Sequence, residues 1–195
     1  MDNDHAALSR LPDEDLMRLI GQGIIAPPVA ELFRRHNRPL FNFIAWLCQG
    51  DIGEAEDICQ KTWVKLMQHH GNYQPTAVFR AFLYQIARNT LIDAKRDAYA
   101  RRREPLHEEA ECAAPGEDIS PETEILLKRN IGQVRQALLD LPAAQREAIV
   151  LRFFSDMTLE EIAGLTGVGF ETVKSRMRYG FAHLRRVLEP CDARV

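Results

Sequence analysis

The chain has no apolar run near the length of about 18 residues that a membrane-crossing helix requires, so no segment is expected to insert into a bilayer. Its start, Met1-Asp2-Asn3-Asp4-His5, is acidic and lacks the basic stretch ahead of an apolar one that marks a secretory signal. Cysteine is scarce. The four thiols (Cys48, Cys59, Cys112 and Cys191) lie far apart and form no C-x-x-C pair, which argues against a zinc site. They read as reduced cysteines of a cytoplasmic protein, with Cys48 and Cys59 in the core. Strand signals are nearly absent, with no sustained period-2 alternation and no Asn-Gly hairpin turn. Glycine never gathers into a phosphate-cradling loop, and no side chains stand at metal-ligand or nucleophile–base spacing. No cofactor, no metal and no catalytic residue are therefore expected, and the chain does not read as an enzyme.

Charge is near balance, 25 Lys and Arg against 28 Asp and Glu, but it is gathered into opposed blocks. Between Arg80 and Arg103 seven basic residues stand against Asp93 and Asp97, a net of +5. From Glu104 to Glu124 there are eight acidic residues and no Lys or Arg. From Lys174 to Arg186 five basic residues occur with no acidic one. Either cationic block alone reads more readily as a solvated helix face than as a contact surface. Two of them, separated by an anionic tether, predict two contact surfaces for a polyanion.

What is present in abundance is helical periodicity. Val29, Leu32, Phe33, Leu40, Phe43, Ile44 and Leu47 recur at three-four spacing, with Pro39 expected to kink or break the helix. Asp51 and Glu54 stand in N-cap and N3 relation. They open a helix whose Ala55, Ile58, Cys59, Thr62, Trp63 and Leu66 share one face. Residues 69–75 (HHGNYQP) read as a loop. A long helix follows, with Phe79, Phe82, Leu83, Ile86 and Ala87 inward, and runs into Arg101, Arg102 and Arg103. Residues 104–120 form an acidic linker without periodicity. Ser120-Pro121 restarts a helix, along which Leu127, Ile131, Val134, Leu138 and Leu141 step until Pro142, and another covers about residues 143–154. The expected fold is all-α. Two small helical domains, residues 29–103 and 121–189, are joined by the linker. Residues 1–28 form a leader, either a flexible tail or an added contact.

The sharpest local pattern lies in the second domain. Thr158-Leu159-Glu160-Glu161 forms a capping box at the start of a helix kept short by Gly164 and Gly167. Small Ala163, a turn glycine at 167 and β-branched Val173, with Ile162 and Val168 apolar, have the spacing of a helix-turn-helix. Val173, Met177, Phe181 and Leu184 mark the inner face of its second helix, and Lys174, Ser175, Arg176, Arg178 and Tyr179 the outer one. Such a helix lies in a major groove, where Arg and Lys read guanine edges or hold phosphates and Ser175 or Thr172 does either. Glu171, Thr172, Lys174, Ser175 and Arg178 occupy the half that usually carries base contacts. Arg185 and Arg186 read as phosphate contacts or solvated charge.

In order, the segments EAEDICQKTWVKL, FRAFLYQIARNTLIDAKRDAYARRR, the acidic linker, LPAAQREAIVLRFF and MTLEEIAGLTGVGFETVKSRMRYGFAHLRRVL closely resemble the bacterial sigma factors of the extracytoplasmic-function (ECF) group within the sigma-70 family. The likeness covers about Val29 to Leu188. It implies a region 2 domain and a region 4 domain that direct core RNA polymerase to promoters, under control of an anti-sigma factor, with contacts to the polymerase β' and β subunits. By this resemblance Glu54, Glu56, Asp57, Gln60 and Trp63 lie on the helix that docks on a β' coiled-coil.

The same resemblance assigns the following loop and long helix to recognising and melting the −10 element, and the helix-turn-helix to the −35 element. Melting needs unpaired bases held by aromatic faces and polar edges beside a basic track. Tyr73, Phe79, Phe82 and Tyr84 are the candidate aromatics, with Phe79 and Phe82 read equally as core. Arg80, Arg88, Asn89, Asp93, Lys95 and Arg96 are the candidate polar groups, of which Asn89, Asp93 and Arg96 share one exposed stripe. Gly169-Phe170 departs from the polar N-cap usual at a recognition helix. The rival reading is an autonomous helix-turn-helix regulator binding palindromic DNA as a dimer.

Overall fold

The computed structural model describes residues 7–73, 78–101 and 132–188, and among these every regular element is helical. In chain order they are α1 Asp13–Gly21, α2 Ala26–Leu47, α3 Ile52–Gln68, a 3-10 turn at His70–Asn72, α4 Phe79–Arg101, α5 Ala143–Phe154, α6 Leu159–Thr166 and α7 Phe170–Leu188. A further helical stretch covers residues 132–139. The chain divides into two compact units, Met1–Glu108 and Glu109–Val195. The acidic linker, the Ser120-Pro121 start, Leu127, Ile131, Cys112, Cys191, Arg102 and Arg103 lie outside the described residues.

In the first unit α3 packs against both α2 and α4, and α1 packs on α2. The core is built from Leu32, Leu40, Phe43 and Ile44 of α2, Ala55, Ile58 and Leu66 of α3, and Phe79, Leu83, Tyr84 and Ala87 of α4, all buried. α2 runs unbroken through Pro39, so the break expected there does not occur. Proline removes one amide from the helix ladder, but Leu32 on one side and Leu40, Phe43 and Ile44 on the other anchor both halves in one core. Phe33 does not join that core; adjacent to Leu32, and so about 100° around the helix from it, it is 46% exposed. Cys48 and Cys59 are buried free thiols. Burial, reinforced by the neighbouring Glu54 carboxyl, pushes the Cys48 thiol up, and burial pushes Cys59 up to about 11.

Residues 1–28, set apart as a leader on sequence, contain α1, and α1 belongs to this unit. Leu16, Met17 and Ile20 are buried in its core. A polar network then pins it. Arg35 donates to the carbonyls of Leu8, Ser9 and Leu11 at 3.2, 2.9 and 2.8 Å. It also pairs with Asp13 at 2.8 Å and with Glu31 at 2.6 Å. His36 Nε2 lies 2.6 Å from Asp13 Oδ2. Burial alone would raise the Asp13 carboxyl, but His36 and Arg35 outweigh it and leave the group below its ordinary range. Glu31 is wholly buried. Its hydrogen bonds from Arg34 and, against the cost of burial, from Arg35 hold its carboxyl at about 2.

In the second unit α7 packs across α5 and α6. Ala148, Ile149, Val150 and Leu151 of α5 are buried with Ile162 and Leu165 of α6 and Val173 and Leu184 of α7. Leu138 and Leu141 also point inward as the spacing predicts, but Val134 is 41% exposed and Ala137 is buried in its stead. Phe181, expected on the inner face of α7, is 39% exposed. Its ring meets Phe153 edge-on with centroids 5.4 Å apart. The inward place is taken by Gly180, where α7 crosses α5 closely: a Cβ would stand 2.6 Å from Ile149 Cδ1, so a side chain there requires Ile149 to shift.

Candidate nucleic-acid interface

The helix-turn-helix is assembled from local chemistry. Thr158 Oγ1 accepts the Glu161 N–H at 3.2 Å, while the Glu161 carboxylate accepts the Thr158 N–H at 2.7 Å, a reciprocal capping box. At the other end of α6 the chain turns on Gly167, whose φ of +70° is left-handed and costs glycine no Cβ clash. The N–H groups of Gly167 and Val168 share the Ala163 carbonyl at 2.9 and 3.2 Å. The first turn of α7 has no polar side-chain cap at Gly169; instead the Gly169 carbonyl accepts the N–H groups of Thr172 and Val173 at 2.9 and 3.1 Å. Val173, wholly buried, seats α7 on the unit.

That seating turns the predicted outer face to solvent. Glu171, Thr172, Lys174, Arg178 and Tyr179 are exposed, and Ser175 and Arg176 are half-buried. Lys174 Nζ lies 3.9 Å from Glu171 Oε1. The Arg178 guanidinium lies 5.0 Å from the Tyr179 ring centre and donates to its hydroxyl at 3.3 Å. A shallow cleft beside the start of α6 brings Arg152 and Lys174 together with Thr158 and Glu160. Arg152, which the charge-block reading passed over because it stands alone in sequence, joins the cationic surface only through the α5–α7 crossing.

In the first unit the candidate aromatics separate into two groups. Phe79 and Tyr84 are 0% and 1% exposed, so both belong to the core and offer no face to a base. Tyr84 packs on Phe43 with centroids 4.9 Å apart, and Phe79 packs on His36 at 5.2 Å. Tyr73 and Phe82 are half-buried and stack on each other at 5.3 Å, forming an accessible aromatic edge. Burial, with Glu14 and Asp13 nearby, pushes the Tyr73 hydroxyl up to about 12.

The polar stripe is exposed as expected. Asn89 and Arg96 face solvent, and Arg80, Arg88 and Asp93 are half-buried. Asn89 accepts from the Gln85 amide at 3.1 Å. Asp93 pairs with Arg96 at 3.3 Å and with Lys65 of α3 at 3.5 Å. Lys95, also exposed, reaches back to the Leu47 carbonyl at 3.1 Å.

On α3, Asp51 Oδ1 accepts the Glu54 N–H at 2.9 Å and caps the helix. Glu56, Asp57 and Gln60 are exposed and Glu54 is half-buried, giving an acidic face, with Asp57 paired to Lys61 at 2.6 Å. Trp63, buried with the rest of its stripe at 8% exposure, leaves little surface for a docking partner, and its indole N–H donates to Asn37 Oδ1 at 3.0 Å. Exposed Phe33 stacks on it at 5.1 Å and presents the aromatic surface that Trp63 does not.

Two helical units, one ending in a helix-turn-helix and the other carrying an aromatic edge beside a basic track, define a DNA-directed protein. Residues 32–103 match sigma-70 region 2, and residues 137–186 match sigma-70 region 4. The chain is 34% identical to the ECF RNA polymerase sigma factor SigE of Mycolicibacterium smegmatis over 86% of its own length and 64% of that relative's. It is 31% identical to the ECF sigma factor SigL of Mycobacterium tuberculosis over 81% of its own length and 87% of the relative's. The chain belongs to the ECF RNA polymerase sigma factors. Two solved structures share the fold. The sigma factor RpoE of Bartonella quintana, in complex with the anti-sigma factor NepR, has 24% identity, covers 83% of this chain and 97% of its own, and superposes with a TM-score of 0.67. CnrH, in complex with the cytosolic domain of CnrY, has 24% identity, covers 92% and 99%, and gives a TM-score of 0.64. Among the described residues no helix is long and apolar enough to cross a membrane.

Proposed function

We propose that this chain acts in the cytoplasm as a dissociable specificity subunit, docking on core RNA polymerase and leaving all chemistry to it. The acidic α3 face around Glu56, Asp57 and Gln60, with Phe33 beside it, meets a basic coiled-coil on the polymerase. α7 enters the major groove of the −35 element, with Thr172, Lys174 and Arg178 toward bases or phosphates. Tyr73 and Phe82 hold bases released from the −10 duplex, and Arg88, Asn89 and Arg96 line the track beside them. The linker fixes the reach between the two contacts, and its negative charge stands in for nucleic acid along the polymerase channel. An anti-sigma factor of the kind bound to RpoE holds the chain inactive by covering the polymerase-binding faces.

The observation that carries this reading is the solvent-facing stripe of Glu171, Thr172, Lys174, Arg178 and Tyr179 on α7, in a chain that also presents an acidic docking face and a separate aromatic edge. Transcription with purified core polymerase and a promoter library is the test. Start sites that arise only with the protein, at a fixed distance from shared upstream elements, are the expected result. Dimeric binding to palindromic duplex without polymerase association would establish the autonomous regulator instead.

A further inference from the structure

α4 has an unusual beginning. Val78, the residue before its first turn, has no side-chain acceptor for the amides that a helix start leaves unpaired. The acceptor comes from elsewhere. Glu14 Oε1, on α1 and 65 residues away in sequence, takes the Phe79 N–H at 3.2 Å. Glu14 is half-buried, and α1 touches both α4 and the 3-10 turn that Tyr73 follows. Its neighbour Asp13 is anchored by Arg35 and His36, and the His36 ring packs on Phe79. Glu14 is therefore carried by a helix whose preceding residue is pinned, and its carboxylate acts on both Phe79, whose N–H it accepts, and Tyr73, whose hydroxyl is pushed up by burial with help from its charge. The cap also places a carboxylate at the positive end of a 23-residue helix.

We infer that Glu14 is a positioning residue for the aromatic edge of Tyr73 and Phe82, fixing where α4 begins and so how the two rings are presented to unpaired bases. Phe82 lies in the first turn of α4, and its N–H bonds to the Val78 carbonyl at 3.3 Å, so any fraying of that turn moves the ring. Phe79, buried and capped, is the hinge pin; Phe82 and Tyr73 are the working surface. This inference rests on the promoter-melting role proposed above.

The experiment uses the full chain reconstituted with core polymerase, and a promoter with 2-aminopurine at a −10 position reports base unstacking. Glu14→Ala removes the acceptor, whereas Glu14→Gln retains a carbonyl oxygen without charge. Glu14→Ala is expected to lower the opening equilibrium about five-fold, the effect of losing an ordinary cap. Its affinity for core polymerase and for −35 duplex stays unchanged, and Glu14→Gln recovers most of the opening. Wild-type opening in Glu14→Ala overturns the inference. So does a parallel loss of core affinity, which would make the contact merely structural, and so does a Glu14→Gln defect as large as that of Glu14→Ala. If the unaltered protein supports no initiation with core polymerase, the sigma reading itself fails, a result distinct from all of these.

Discussion

A Cβ on Gly180 would stand 2.6 Å from Ile149 Cδ1, so the methyl at the tip of the Ile149 side chain fills the space a side chain at position 180 would take. This crossing sets how α7, and with it the proposed DNA-reading face, rests on α5. Gly180→Ala gains about 1 kcal/mol of helix propensity but overpacks the crossing against Ile149 by about 1–3 kcal/mol, and the bulkier Gly180→Val overpacks it further. Denaturant unfolding followed by circular dichroism should show loss of stability for Gly180→Val, with Ile149→Ala restoring part of it in the double variant. Tryptophan emission is the wrong probe, because Trp46 and Trp63 both lie in the first unit.

The Thr158–Glu161 box is the next point of leverage. Thr158→Ala should cost about 1 kcal/mol of second-unit stability, whereas Glu161→Gln keeps an acceptor for the Thr158 N–H and costs less. A loss from Glu161→Gln as large as that from Thr158→Ala would show that the Glu161 charge at the helix start matters as much as the Thr158 cap.

Asn37 serves two buried donors at once, the Trp63 indole at 3.0 Å and the Cys59 thiol at 3.4 Å. Asn37→Ala strands the indole N–H and should destabilise the first unit by about 1–3 kcal/mol, with a change in Trp63 emission. Wild-type stability by urea titration would mean that another group takes over the indole.

Acid should act on the first unit through Glu31. Its carboxyl titrates at about 2 when folded against 4.5 ordinarily, so the unfolded chain takes up the proton first. The stability it contributes is complete above pH 4.5 and is lost as pH falls toward 2. Glu31→Gln should flatten that part of the stability–pH curve and cost about 2 kcal/mol at neutral pH through loss of its charged hydrogen bonds. An unchanged acid limb in the variant would assign the effect to other carboxylates.

On DNA, Lys174 and Arg178 should behave differently. Lys174→Ala should weaken binding across all sequences and lower the salt slope by about one unit. Arg178→Ala should cost about 1–3 kcal/mol on the preferred −35 sequence and much less on others. Competition binding of the holoenzyme at several salt concentrations separates the two.

The parts of this molecule legible in sequence are those whose causes are local. The stripe Ala55, Ile58, Cys59, Thr62, Trp63 and Leu66 is buried as its spacing predicts, and the Thr158–Glu161 box and the Gly167 turn form as written. What was not legible depends on contacts between distant segments. Phe79 and Tyr84 are apolar-faced aromatics on a basic helix, and nothing in their spacing tells whether a helix or a nucleobase covers them. α1 has only nine residues, too few for periodicity to speak, and its membership rests on Arg35 reaching back to Leu8, Ser9 and Leu11. Val134 and Ala137 lie three residues apart on one helix, about 60° around its axis, so a stripe drawn through Leu138 and Leu141 takes in either one.

Asp93, held by Lys65 on one side and Arg96 on the other, gives the basic track a resident counterion. Under the proposed −10 contact, a DNA phosphate arriving there must compete with a carboxylate that cannot diffuse away. The cations condensed on the DNA are still released, so the contact keeps its salt dependence, but part of its gain is offset by the ion pairs given up at Asp93. On that reading Lys65 and Arg96 are partly neutralised in the free protein and open fully only to a strand that displaces Asp93.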